Sequence, residues 1–268
     1  MIKLIATDVD GTLVKVASRE IDPGYFRAIG DLKKMGISVA VVSGRQEDSM
    51  LHMFSPVLDD LYIVSNNGAC IRCNGKTIRN IVIPNPTVHI LAEELRKFHG
   101  CNTMLSSGGR TFRFPEMSEE SYEFCTSYGS LLEDFPGYDA LPPVNKICVL
   151  DDIKGRPHPA AALSRSFDGV IGLDAGDGWY DFINSTISKG SAVQFLQKEL
   201  GAGADETAVF GDQENDMSMF AYAKYNFAVE GAAAIVYDAA AYHAGGYAQK
   251  GVLRILENIV RNNGVLDV

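Results

Sequence analysis

The chain has no apolar run approaching the roughly 20 residues that a bilayer-spanning helix needs, so no such helix is expected. Its amino terminus offers one Lys before an apolar stretch and no small-residue cleavage site, so a signal peptide is not expected either. Cysteine is sparse: five residues, an odd number at irregular spacings, which excludes a disulfide framework and points to reduced thiols in a cytoplasmic protein. Cys70-Ile71-Arg72-Cys73 is nominally a CxxC, but Asn67 to Ile78 reads as a hairpin turning at Asn74-Gly75. Residues three apart on a strand face opposite sides, so those two sulfurs cannot share a zinc ion. None of the five histidines has ligand-like spacing, and there is no internal repeat or low-complexity tail. Excess positive charge is absent too: the net charge is −10, which argues against nucleic acid or anionic membrane as a partner. An anionic substrate would therefore need a local positive site.

What is present begins at the first dozen residues. The apolar run Ile2-Lys3-Leu4-Ile5-Ala6 leads into Thr7-Asp8-Val9-Asp10-Gly11-Thr12. Such a run reads as a strand buried on both faces in a parallel sheet, and burying acids inside it would be costly. Asp8 and Asp10 are therefore expected where the strand leaves the sheet, the edge at which open α/β sheets bind ligands. Ile37 to Val42 reads as a second buried strand running into Ser43-Gly44-Arg45, where a helix is expected to start and continue through Phe54. That would put Ser43 at a helix amino end, which favours anions. Leu61-Tyr62-Ile63-Val64 is a third strand, and Ser18 to Gly36 has helical spacing. Strand, helix, strand, helix, strand predicts an α/β fold with a doubly wound, Rossmann-like parallel sheet.

The pattern changes at Ile83-Pro84-Asn85-Pro86, which reads as a linker. Helices from Thr87 and Ser118, strands around Ser106-Ser107-Gly108-Gly109 and at Lys146 to Leu150, a helix at Pro159 to Phe167 and a strand pair joined at Asp174 to Gly178 follow. This stretch, residues 83–184, is read as an inserted α/β cap domain in a core of residues 1–82 and 185–268. Core patterning resumes at Ser188-Lys189-Gly190. A strand at Thr207 to Phe210 ends in Gly211-Asp212-Gln213-Glu214-Asn215-Asp216, and Asn226 to Val229 is read as the last strand.

Asp8/Asp10, Ser43 and Asp212/Asp216 all sit where a strand meets the next helix, and in a parallel sheet those junctions share one edge. Close carboxylate pairs repel by about 4 kcal/mol each at an effective dielectric near 20, more than the one lysine at that edge, Lys189, can balance. A divalent cation can, and an all-oxygen ligand set suits Mg²⁺, with the Asp8 and Asp212 side chains and the Asp10 backbone carbonyl as inner ligands. An aspartate beside such a cation and a lysine is a competent nucleophile for phosphorus. Lys189, the Ser43 hydroxyl and the N–H groups of Val9, Asp10 and Gly44 would hold the phosphoryl oxygens. Asp10 is placed to act as acid and then base.

These segments, Asp8-Val9-Asp10-Gly11-Thr12, Ser43-Gly44-Arg45, Lys189-Gly190 and Gly211 to Asp216, resemble the four ordered motifs of the haloacid dehalogenase (HAD) superfamily. Ser65-Asn66-Asn67-Gly68-Ala69 and the insert between the second and third motifs resemble its Cof-type phosphatase branch. The resemblance implies Asp8 as nucleophile, Asp10 as acid/base, Ser43 and Lys189 as phosphate ligands and Asp212 as metal ligand. It further implies that Asn215 and Asp216 orient Lys189 and metal-bound water; Asn215 is counted with the phosphate-binding set, and so is Arg45, read as half structural. The expected activity is Mg²⁺-dependent hydrolysis of a small phosphorylated metabolite, with a sugar phosphate as one option. A phosphomutase and a phospho-accepting signalling module are the alternatives. A receiver-type module would be about half this length and would lack the insert.

Overall fold

The structure is a computed structural model, and it describes residues 1–127 and 131–267. Residues 128–130 and 268, which the expected domain ranges span, lie outside the described residues. Strand β1 (Leu4–Thr7) is followed by α1 (Pro23–Lys34), β2 (Ser38–Val42), α2 (Glu47–Met53) and β3 (Tyr62–Ser65), then by the hairpin β4 (Cys70–Cys73) and β5 (Lys76–Asn80). Next come α3 (Asn85–Leu95), β6 (Cys101–Ser107), β7 (Arg110–Arg113), α4 (Glu119–Ser127), β8 (Leu132–Asp134), β9 (Lys146–Asp151), β10 (Val170–Gly176) and β11 (Trp179–Asn184). The chain ends with α5 (Lys189–Leu200), β12 (Thr207–Gly211), α6 (Met217–Phe220), β13 (Tyr225–Val229), α7 (Ala234–Ala239), β14 (Tyr242–Ala244) and α8 (Gly251–Arg261).

The strands form two sheets. One has the order β14-β13-β12-β1-β2-β3-β4-β5, the other β10-β11-β9-β6-β7-β8. In the first, β14 through β3 run parallel and only the β4–β5 hairpin is antiparallel. The chain winds outward from β1 through β2 to β3, then returns to β12 on the other side of β1 and winds outward again. The order thus reverses between β1 and β12, the switch point at which the carboxyl ends of two strands leave a crevice. The α/β, doubly wound expectation holds.

Strand β1 shows why this sheet must be covered twice. Ile5 packs with Tyr25, Ile29 and Leu32 of α1 and with Leu253, Leu256 and Ile259 of α8. Its neighbours Leu4 and Ala6 point the other way, against Ala192, Val193 and Leu196 of α5 and Met219 and Phe220 of α6. Successive residues alternate faces, and burial on both sides demands a continuous apolar run. A third cluster, with Leu91, Leu105, Phe112, Ile147, Val149 and Phe182, belongs to the antiparallel-rich second sheet.

Three local expectations need correction. Ser43 does not open a helix: α2 starts at Glu47, with Gln46 extended as its amino-terminal cap (φ −66°, ψ 152°). The backbone of Ser43 to Arg45 is instead tied to the end of β3, Asn66 N donating to Arg45 O at 2.9 Å and Asn67 N to Ser43 O at 3.0 Å. The last strand of the sheet is β14, not β13, with Phe227 of β13 opposite Tyr242 of β14. Pro159 to Leu163 forms only a 3₁₀ turn, short of the helix expected to reach Phe167. The Asn74-Gly75 turn does join β4 to β5, both residues at positive φ (49° and 69°).

Candidate active site

The site is built on the two strands at the switch point. Asp8 is the residue directly after β1 and Asp212 directly after β12. The Asp8 N–H donates to Phe210 O at 2.9 Å, which fixes the exit of β1 against β12. Gly11 has φ +79°, and a Cβ on it would run into the Asp212 carboxylate, so only glycine lets the turn after β1 pass so close. Thr12 then donates its hydroxyl to Asp212 Oδ1 at 2.7 Å.

Lys189 follows the strands of the second sheet in the chain, as the first residue of α5. Ser188 caps that helix reciprocally with Ser191. A cation at a helix amino end is disfavoured by roughly 0.3–1 kcal/mol, so its position needs a stronger partner. It has two: Nζ donates to Asp8 Oδ1 at 2.5 Å and to Asp216 Oδ1 at 2.6 Å. The other oxygen of Asp216 accepts from the N–H groups of Asp212 (2.9 Å) and Gln213 (3.0 Å), so this carboxylate is fully occupied in holding the loop and the lysine. A Cβ on Gly190 would strike the Ser218 carbonyl, so α5 and α6 meet there through a glycine.

Oxygen atoms of Asp8, Asp212 and Asp216 all lie within 4.8 Å of one another. Asp8, Asp212, Asp216 and Lys189 are 4, 3, 0 and 3% exposed, so water does little to screen them. Burial raises the Asp8 carboxyl well above the ordinary carboxylate range, and Asp216 and Asp212 add to it against the opposing pull of Lys189. Burial likewise raises Asp212, opposed by the Thr12 hydroxyl. For Lys189 burial pulls down, but Asp216 and Asp8 outweigh it and the ammonium stays above its usual range. Three carboxylates against one ammonium leave an excess of negative charge. An all-oxygen, under-neutralised donor set of this kind fits a hard divalent cation.

Asp10 is brought to the same edge but its carboxylate turns outward. Arg45 Nε donates to Oδ2 and Nη2 to Oδ1, both at 2.6 Å, and Ala17 N donates to Oδ1 at 2.9 Å. Arg45 also reaches Ser18 O at 2.8 Å and Met53 Sδ at 2.9 Å, so its guanidinium, expected partly on phosphate, is spent on protein groups. Ser43 is buried in the loop beside the site, its Oγ accepting from Arg45 N at 3.1 Å. Asn215 does not reach Lys189; its amide donates to Asn67 Oδ1 at 3.3 Å. Val9 is fully buried and anchors the turn by accepting from the Leu13 N–H at 2.9 Å.

The haloacid dehalogenase-like hydrolase family matches the chain over residues 5–256. The chain is a haloacid dehalogenase-like hydrolase. As the four motifs implied, an enzyme of this superfamily stands behind the geometry. The 5-amino-6-(5-phospho-D-ribitylamino)uracil phosphatase YbjI of Escherichia coli is 25% identical over 270 residues, 99% of each chain. A haloacid dehalogenase-like hydrolase from Bacteroides thetaiotaomicron superposes with a TM-score of 0.85 at 23% identity, covering 97% of this chain and 100% of the other. The subclass IIB sugar phosphatase BT4131 superposes with a TM-score of 0.79 at 18% identity, covering 96% and 98%.

Three residues of this hydrolase's site were not singled out from the sequence. Thr12 lies within the first motif, but nothing local says that its hydroxyl reaches a carboxylate 200 residues away. Asn66 and Asn67 both adopt positive φ (51° and 58°) after β3, and Asn67 accepts from Asn215 while its N–H holds the Ser43 loop. Their signal was present: two asparagines before a glycine at a strand end favour left-handed backbone. Among the described residues, no helix is long and apolar enough to cross a membrane.

Proposed function

We propose that this hydrolase is a Mg²⁺-dependent phosphatase that hydrolyses a small phosphorylated sugar or polyol through an aspartyl-phosphate on Asp8. The observation that carries this reading is the Lys189 ammonium bridging Asp8 (2.5 Å) and Asp216 (2.6 Å) within the carboxylate cluster at the switch point. It supplies a nucleophile, a fixed cation and a second acid for a metal in one buried crevice. The substrate class draws on two relatives, one named for a phosphoribityl compound and one for sugar phosphates.

The Asp8 and Asp212 carboxylates and the Asp10 backbone carbonyl would hold the cation, which when bound supplies positive charge against the phosphoryl oxygens. Lys189, the Ser43 hydroxyl and the N–H groups of Val9, Asp10 and Gly44 would grip the same oxygens. Asp8 attacks phosphorus as the bond to the leaving oxygen breaks, and Asp10 gives that oxygen a proton. Asp10, now a carboxylate, takes a proton from the water that attacks the aspartyl-phosphate; phosphate leaves and Asp8 is restored. Because Arg45 and Ala17 engage both Asp10 oxygens, the acid must swing from this arrangement to reach the leaving group.

We read the second sheet with its helices, residues 83–184, as a cap that excludes water and selects the leaving group. We place the enzyme in the cytoplasm, a reading that its five unpaired thiols suit. The test is phosphate release from a panel of sugar phosphates, polyol phosphates and nucleotides, with Mg²⁺ and with chelator. Metal-dependent turnover concentrated on the sugar and polyol esters is expected; a panel without turnover, or turnover indifferent to chelator, would overturn the proposal.

A further inference from the structure

We infer that Lys146 is a positioning residue that carries closure of the second sheet to the Ser43 hydroxyl through one peptide unit. The inference rests on the phosphatase reading and deepens it by saying how the grip on phosphate is assembled. Lys146 opens β9 of the six-stranded sheet, whereas Gly44 lies in the loop after β2 of the other. The Lys146 Nζ donates to Gly44 O at 2.8 Å and to Asp181 Oδ2, on the neighbouring strand β11, at 3.0 Å. Lys146 and Asp181 are 4% and 3% exposed, so an ion pair is buried at the seam between the sheets.

The Gly44 carbonyl is one end of a peptide whose other end is the Arg45 N–H. That N–H donates to Ser43 Oγ at 3.1 Å. An ammonium on the carbonyl polarises the peptide and strengthens the bond its N–H makes. A hydroxyl that accepts from that N–H has its own hydrogen left to donate, and the phosphoryl group is the acceptor it would meet. The chain of contacts runs from Asp181 to Lys146, to the Gly44–Arg45 peptide, to Ser43.

Other contacts cross the same seam: Gln46 Nε2 to Cys148 Sγ at 3.2 Å, Asn66 Nδ2 to Ser106 Oγ at 3.2 Å, and Leu131 N to Asp48 Oδ2 at 2.9 Å. They hold the sheets together, but among the described residues only the Lys146 contact from the second sheet falls on the peptide that sets Ser43. With the seam closed the Ser43 loop is tied to the second sheet, and parting the seam to admit substrate would undo that tie. Opening takes the ammonium off the Gly44 carbonyl, and closing restores it. Phosphate is therefore held fully only under a closed second sheet.

The test uses the full chain with Mg²⁺, p-nitrophenyl phosphate as substrate and inorganic phosphate as competing ligand. Lys146→Met should raise KM and weaken phosphate binding together by about ten-fold, with kcat within about three-fold, and Lys146→Arg should recover part of the loss. Since Lys146 acts through Ser43, adding Lys146→Met to Ser43→Ala should cost little more than Ser43→Ala alone. If Lys146→Met leaves Asp181 buried and uncompensated and the protein fails to fold, the paired variant Lys146→Met with Asp181→Leu takes its place. The inference is overturned if the two single effects multiply, or if phosphate affinity is unchanged while KM rises. Calorimetric titration with phosphate reads the same coupling without turnover. An inactive wild type that still binds phosphate through this coupling would refute the phosphatase reading and leave the inference standing.

Discussion

Arg45 clamps the carboxylate of Asp10 with two parallel hydrogen bonds, Nε to Oδ2 and Nη2 to Oδ1, each 2.6 Å long. This geometry is particular to a guanidinium, since a lysine ammonium cannot present a planar fork. It sets the resting direction of the proposed acid/base and leaves Ser43 and Lys189 as the proposed phosphate ligands.

Arg45→Lys loosens a clamp that Asp10 must leave to reach the leaving group, so kcat should stay within about three-fold of wild type or rise, with KM also within about three-fold. Steady-state kinetics decide it. A large rise in KM with kcat unchanged would mean that Arg45 is a phosphate ligand after all.

Asp8→Asn should reduce turnover by at least about a thousand-fold and yet stabilise the metal-free protein. The sign follows from proton binding. Asp8 is raised well above 3.8 by burial, then by Asp216 and Asp212, so the folded state holds that proton more tightly than the unfolded chain. Its contribution to stability is present at acid pH and is lost as pH rises from 3.8 through the raised value. The melting temperature of Asp8→Asn in chelator should thus exceed wild type by about 2–4 °C for each kcal/mol gained. The gain should be larger near about pH 7 than near about pH 5. A variant less stable than wild type at neutral pH would mean that the Lys189 pair outweighs the cost of burying Asp8.

Thr12→Val removes the hydroxyl that donates to Asp212 Oδ1 at 2.7 Å. Groups that orient a metal ligand are commonly worth about 10–100-fold in metal affinity. The Mg²⁺ concentration for half-maximal activity should rise by about ten-fold, with kcat largely recovered at saturating metal. An unchanged Mg²⁺ dependence would detach Thr12, and with it Asp212, from the proposed metal site.

Gly190→Ala should destabilise the fold by about 1–3 kcal/mol, since an added methyl meets the backbone carbonyl of Ser218 rather than a flexible side chain. Denaturant unfolding measures it. The neighbouring Lys189 should be displaced too, so activity should fall more than stability alone explains; a fully active variant of wild-type stability would contradict the packing described.

The doubly wound sheet could be read from the sequence because β1, β2, β3 and β12 are short, apolar and punctuated at their carboxyl ends, which is what burial on both faces requires. Asp8, Asp212 and Lys189 could be read for a related reason: charges abutting a buried strand or opening a helix need partners, and the fold brings them together. The start of α2 was misplaced because the Ser43 loop takes its hydrogen bonds from Asn66 and Asn67, which no local propensity reveals. Strand β14 was missed because Tyr242-His243-Ala244 is three residues long at the sheet edge, where pairing with β13 decides its conformation. Thr12 and the turning away of Asp10 toward Arg45 depend on distances between remote loops, and single-sequence patterns carry none.

Trapping the covalent adduct tests the account most directly. Enzyme mixed with Mg²⁺ and a phosphate-radiolabelled p-nitrophenyl phosphate, quenched in acid within a single turnover and digested, should carry the label on the peptide that holds Asp8, removable by hydroxylamine as an acyl phosphate. Label on a different residue, or phosphate released in that turnover with no label on the protein at any time, would contradict Asp8 as the group that accepts phosphorus.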